Sequence, residues 1–131
     1  MIRSIDRIGI AVKDLDSAIG VYVEGFGFKV DRIYENHQEK VVTAVLVSEK
    51  CTIELIQPSS DDSPVARFIE RRGEGVSYIS LRAENLDVCI TELESMGFRI
   101  MRKPPSVVHG RRYTFIHPKD MKGVMFELTE Y

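Results

Sequence analysis

The sequence predicts an α+β fold made of two βαβββ units, and three observations carry that prediction. The stretch Asp6-Arg7-Ile8-Gly9-Ile10-Ala11-Val12-Lys13-Asp14-Leu15-Asp16-Ser17-Ala18-Ile19 reads as a strand, a turn and a helix start, and Ser77-Tyr78-Ile79-Ser80-Leu81-Arg82-Ala83-Glu84-Asn85-Leu86-Asp87-Val88-Cys89-Ile90 writes it again. At a constant offset of 71, Ile8 falls on Ile79, Ile10 on Leu81, Leu15 on Leu86, Asp16 on Asp87 and Ile19 on Ile90. The two helices also end alike, in Gly27-Phe28-Lys29-Val30 and Gly97-Phe98-Arg99-Ile100, and Ile53-Glu54-Leu55 late in the first half answers Phe126-Glu127-Leu128 late in the second. Such a unit cannot close a core by itself, so two copies are expected to share one.

Each element has its own signal. Residues 5–12 form an apolar, β-branched run, hence a strand. Asp14 or Asp16 caps the helix that follows, whose inner face is Leu15, Ile19, Tyr22 and Val23 and which Gly25 and Gly27 stop. Residues 28–34 resume extended structure with Phe28, Val30 and Ile33 directed inward, and 35–40 is a polar loop. Strands over 41–47 and 51–57 flank the turn Ser48-Glu49-Lys50. Residues 58–63 are a polar linker into a short helix that opens at Pro64, with Val65, Phe68 and Ile69 on its apolar side. The second unit then reads as a strand to Arg82, a helix over 86–96, a strand over 98–101, a break at Pro104-Pro105, and strands over 112–117 and 124–129. The expected organisation is one domain over 1–131: a first unit at 1–57, a helical connector at 58–75 and a second unit at 76–131.

Bulk properties narrow the function. A chain of 131 residues, 44% hydrophobic and 29% charged, is long enough to bury a sizeable core and has the composition of a soluble protein. A formal net charge of -2 offers no electrostatic reason to expect nucleic acid or an anionic membrane as partner. No run approaches a membrane span, and the start Met1-Ile2-Arg3-Ser4-Ile5-Asp6 is not a signal peptide. Cys51 and Cys89 sit among apolar residues and read as buried free thiols, which fits a reducing cytoplasm. No Ser or Cys nucleophile motif, phosphate loop or dinucleotide fingerprint is present.

The repeated pattern resembles the vicinal-oxygen-chelate superfamily, which includes glyoxalase I, the extradiol dioxygenases, the fosfomycin and bleomycin resistance proteins and methylmalonyl-CoA epimerase. The resemblance covers nearly the whole chain and is nearest to the epimerase. It is carried by Ile8-Gly9-Ile10-Ala11-Val12-Lys13-Asp14-Leu15, Asp62-Ser63-Pro64-Val65-Ala66-Arg67-Phe68, Arg72-Gly73-Glu74-Gly75, His109-Gly110, and His117-Pro118-Lys119 through Gly123-Val124 to Glu127-Leu128. It implies curled mixed sheets around a cleft, and it is compatible with a homodimer. It also implies a divalent-metal site drawn from four positions, which here are Arg7, Glu54, Tyr78 and Glu127. Both carboxylates are kept, and the two positions normally held by His are Arg7 and Tyr78.

That departure shapes the functional expectation. Arginine stays protonated and cannot ligate, and tyrosine is a poor ligand at neutral pH. A catalytic divalent metal usually has at least three protein ligands, so no tightly bound metal is expected, with a weakly held ion on two carboxylates the disfavoured alternative. Epimerisation beside a thioester needs proton removal and return, and a cation or donor at the developing enolate oxygen. Glu54 and Glu127 are the candidate acid–base pair, Arg7 the cation or the grip on a substrate carboxylate, and Tyr78 a donor. The alternative is an inert centre in which Arg7 pairs with Glu54 or Glu127. The family's additional catalytic carboxylate has no counterpart in Val41-Val42-Thr43-Ala44, and Glu39, which lies close by, cannot be placed in that role.

His109, Gly110 and Arg112 belong to the loop that in the family lies over the ligand, the alternative being an exposed basic turn. Arg71-Arg72 and Arg111-Arg112 are candidates for CoA phosphates, with solvated surface the safer reading. His117 reads as a turn residue and His37 as solvated. The expected partner is a small anionic molecule: either an isomerase or lyase substrate, carboxylated or acyl-CoA, or a ligand sequestered without turnover as in the bleomycin-resistance type. A conventional metal-dependent epimerase with unusual ligands ranks third.

Overall fold

The computed structural model describes all residues, Met1–Tyr131. Its elements are β1 (Ile2–Ala11), α1 (Leu15–Phe26), β2 (Lys29–Asn36), β3 (Val41–Ser48), β4 (Cys51–Pro58), α2 (Pro64–Arg72), β5 (Gly75–Ala83), α3 (Leu86–Ser95), β6 (Ser106–Val108), β7 (Arg111–Ile116), a 3-10 turn (Pro118–Met121) and β8 (Phe126–Glu130). The fold is mixed α+β. By contact it groups into two units, Arg7–Ser77 and a second comprising Tyr78–Tyr131 together with Met1–Asp6.

The Arg7–Ser77 unit orders its strands β2-β3-β4-β1. β1 runs parallel to β4 with Ile8 opposite Ile53, Gly9 opposite Glu54 and Ile10 opposite Leu55, while β3 is antiparallel to both β2 and β4. Alternation puts Ile53 and Leu55 on one face and Glu54 on the other. The apolar face packs under α1 as a core of Val12, Leu15, Ala44, Leu46 and Leu55, with Ile10, Ile19, Tyr22 and Phe28 against it. Asp14, not Asp16, is the cap of α1, accepting from the Ser17 backbone, and Gly27 ends the helix at φ 75°, a left-handed value open to glycine. Helix α2 starts as expected, with Ser63 as cap and Pro64 in its first turn.

The Tyr78–Tyr131 unit repeats that order as β6-β7-β8-β5, with β5 parallel to β8 and β7 antiparallel to β6 and β8. Its core is Ala83, Leu86, Cys89, Ile90, Ile116 and Leu128, supported by Leu81, Leu93, Phe98 and Phe126. Asn85 caps α3, its Oδ1 accepting from the Val88 N–H at 3.0 Å. Asn85→Ala is expected to cost about 1 kcal/mol in urea unfolding, because that N–H loses its partner at a helix start.

Four local expectations are corrected. Residues 98–101 are not a strand: Ile100 makes only an isolated bridge to Ile116, because side chains take the neighbouring backbone groups. Asp120 accepts from the Arg99 N–H, and Thr114 Oγ1 accepts from the Arg102 N–H. The missing strand is supplied instead by β6, paired with β7. Val30 and Ile33 are not inward but 43% and 52% exposed, since β2 is the outermost strand of its sheet and its register shifts between Val30 and Arg32. Cys51 is exposed rather than buried, lying at a hairpin tip opposite Ser48, whereas Cys89 is buried and burial pushes its thiol pKa up. Arg111 is buried rather than solvated.

The segment after α3 is tied down by charge. Arg99 donates through its backbone N, Nε and Nη2 to Asp120, holding that carboxyl at about 2 against its usual 3.8. A carboxyl lowered by folding stabilises above its unfolded pKa and loses that contribution as pH falls through the folded value. The contribution is therefore complete above about pH 5 and is gone only below the folded value of about 2. Wild type and Asp120→Asn should differ in thermal midpoint at pH 6, and the difference should shrink steadily as an acid series falls from about pH 5 toward about pH 1.

Candidate functional site

The face of each sheet turned away from its helix carries one buried glutamate, and each glutamate is met by an arginine. In the Arg7–Ser77 unit, the register of Gly9 with Glu54 places Arg7, two residues earlier on β1, on the same face as the carboxylate. Arg7 Nη1 lies 3.2 Å from Glu54 Oε2, with the two side chains 11% and 1% exposed. The Tyr34 hydroxyl, from β2, donates to the same Oε2 at 3.3 Å. Thr43 and Val45 on β3 are buried on this face. Arg7 thus pairs with Glu54.

In the Tyr78–Tyr131 unit the counterpart is built differently. Ser80 is in register with Glu127 and its hydroxyl donates to Oε1 at 2.7 Å. Arg111 Nη1 donates to the same Oε1 at 2.6 Å and to Thr129 Oγ1 at 2.9 Å. Its guanidinium carbon stands 5.2 Å from the centroid of the Tyr113 ring. Tyr78 lies edge-on to Phe115 with centroids 6.0 Å apart. Two charged groups this far from water hold together only because the pair is hydrogen-bonded on both sides.

His109 and Gly110 are the two central residues of the β6–β7 hairpin, at φ 47° and 75°, with Val108 paired to Arg111. Positive φ at both centres matches the twist of a tight hairpin, so this segment is a two-residue turn and its role over a ligand is carried by resemblance alone. Arg112 reaches Asp87 and Glu130, at 2.7 and 3.1 Å, tying the start of α3 to β8. Arg112 lowers the Asp87 pKa, chiefly by hydrogen bonding, and its own is raised in return. His117 is a turn residue whose Nδ1 accepts from the Lys119 N–H, and His37 is exposed beside Glu35.

Sequence reasoning missed Ser80, Tyr34 and Thr129, and read Arg111 only as a candidate for CoA phosphates or as solvated surface. Ser80 could have been found, because the 71-residue offset places it on Gly9, opposite the repeated glutamate. Arg111 had no such signal, as only the hairpin turns it inward.

The groups around Glu54 and Glu127 do not fit a divalent cation in either unit. A guanidinium contacts each carboxylate and cannot be deprotonated to ligate. No three His, Cys, Asp or Glu side chains gather as ligands.

A duplicated βαβββ unit, with a carboxylate on the last strand of each copy and a parallel first–last strand pair, defines a class of fold that comparison with known proteins makes specific. The family described as Glyoxalase/Bleomycin resistance protein/Dioxygenase superfamily matches residues 4–128, and the chain belongs to it. Among its relatives is the ethylmalonyl-CoA/methylmalonyl-CoA epimerase of Cereibacter sphaeroides, 29% identical over 99% of both chains. The methylmalonyl-CoA epimerase of Mycobacterium tuberculosis superposes with a TM-score of 0.93 at 32% identity, over 98% of this chain and 88% of that one. That of Streptomyces coelicolor, in complex with 2-nitronate-propionyl-CoA, reaches 0.94 at 31% identity, over 99% and 95%. The resemblance to methylmalonyl-CoA epimerases thus holds in both sequence and structure.

Proposed function

We propose that this protein is an epimerase-like enzyme that moves a proton beside the carbonyl of a small carboxylated or acyl-CoA substrate, with arginine doing the electrostatic work at a metal-free centre. The observation that carries this reading is Arg7 on Glu54 at 3.2 Å, a cation and a carboxylate side by side at two positions the family uses for metal binding. A carboxylate can accept the substrate proton, and the neighbouring guanidinium can stabilise the enolate oxygen or grip a substrate carboxylate with its planar fork. Epimerase relatives that match nearly end to end support acyl-CoA as the substrate class.

The test is metal content after purification without chelator, compared with an Arg7→His, Tyr78→His double variant. The natural protein is expected to carry no stoichiometric metal and the variant to gain it, because an imidazole ligates where a guanidinium or a phenol does not. Near-stoichiometric metal in the natural protein would overturn the metal-free centre.

The hydrogen bonding of Glu127 favours a second reading, in which the protein sequesters its ligand without turnover: Ser80 and Arg111 occupy that carboxylate at 2.7 and 2.6 Å. Deuterium wash-in at the α carbon of methylmalonyl-CoA in D2O separates the two. Binding without wash-in would assign the protein to the sequestering class.

A further inference from the structure

Strand β2 ends its sheet, so its outer edge carries backbone N–H and C=O groups that no strand of this chain pairs. Alternation along it is broken once. Val30 stands opposite Leu46 and Arg32 opposite Val45, which leaves Asp31 without a partner on β3, a β-bulge. The extra residue shifts the side-chain phase by one. Val30 and Ile33 therefore face the same way, opposite Leu46 and Ala44, which belong to the core under α1. That core stops short of the edge, and Val30 and Ile33 stay 43% and 52% exposed. Between them, Asp31 and Arg32 make a loose pair at 3.5 Å with both side chains half exposed. Charges and a bulge ordinarily keep an edge from pairing with arbitrary strands. These ones are complementary to themselves. When a second copy of β2 lies antiparallel to the first, two-fold about a point between Asp31 and Arg32, Val30 meets Ile33 of the second copy and Asp31 meets its Arg32. Each contact occurs twice. Both strands bulge at the axis, so the side-chain phases agree on either side of it; without the bulge Val30 and Ile33 would lie on opposite faces and could not meet.

We infer that β2 is the surface on which this protein associates with a second copy of itself, antiparallel and two-fold about the Asp31–Arg32 bulge. Backbone hydrogen bonds along the two edges join the strands, and Val30 against Ile33 removes apolar surface from water on the α1 face. Exchange of the two Asp31–Arg32 pairs across the axis fixes direction and register. A slip of one residue would set Asp31 against Asp31 or Arg32 against Arg32, and like charges directly opposite one another are unfavourable. A second copy is thus the partner that this order of charges selects. One pair of edge strands makes a small interface, so association is reversible and concentration-dependent.

The experiment is sedimentation velocity of the full chain at low salt, from about 1 to about 200 µM. The mass is expected to move from monomer to dimer across that range, and added salt to weaken the dimer. Asp31→Arg and Arg32→Asp each set like charges across the axis, and each alone should raise the dissociation constant by about tenfold or more. An equimolar mixture of the two should associate about as well as the natural protein, because every charge then meets its opposite. Ile33→Asp should weaken association in any mixture. Both charged positions are half exposed, so melting temperatures of the two charge variants should match the natural protein and serve as the folding control. A natural protein that stays monomeric throughout overturns the inference. So does a dimer that neither charge variant weakens, which would lie on another face, and so does a mixture that fails to recover association.

Discussion

Arg111→Met is expected to destabilise the fold by about 3–5 kcal/mol, measured by urea unfolding at neutral pH. The size follows from what is left behind. Glu127 is 2% exposed and would keep its charge while losing the Arg111 guanidinium, and Thr129 Oγ1 would lose a donor in a fully buried position. The penalty comes from the stranded carboxylate and not from any large intrinsic worth of the ion pair, because taking both ions out of water offsets most of their attraction. A double variant, Arg111→Met with Glu127→Leu, should therefore recover most of the loss. A double variant as unstable as the sum of the two single ones would show that the pair itself stabilises the fold.

The second large effect falls on activity. If Arg7 stabilises the enolate, Arg7→Met should lower kcat/KM for α-proton exchange by about 100- to 1000-fold, the range seen when a preorganised donor to a developing oxyanion is removed. Arg7→Lys should recover only part of this, since an ammonium keeps the charge but lacks the planar fork. A fall confined to KM would assign Arg7 to gripping the substrate carboxylate in the ground state. Melting curves of the same variants are the control, because Glu54 is 1% exposed and also loses the Arg7 guanidinium.

Much of the fold was legible because its signals are local. Alternation in Ile53-Glu54-Leu55 and Phe126-Glu127-Leu128 turns each glutamate away from its helix, and the cores under α1 and α3 bear this out. The helix starts at Asp14, Ser63 and Asn85 follow from side chains that compete for backbone N–H groups. Expectations failed where a neighbour in space outweighed a local pattern. Residues 98–101 alternate like a strand, but Asp120 and Thr114 capture the adjoining backbone groups. Arg111 follows a turn and looks like solvated charge, yet the two left-handed residues before it start β7 in a register that buries it.

What the sequence by itself determined was the duplication, the α+β class and the kinship with the glyoxalase superfamily. These are properties of order and spacing along one chain. Only the tertiary structure decided which cation meets which carboxylate. Arg7 and Glu54 come from strands brought into parallel register, and Arg111 reaches Glu127 across 16 residues of chain by strand pairing. A charge pattern along a sequence does not specify such pairs, because each depends on strand order and register, which are settled by packing the whole unit at once.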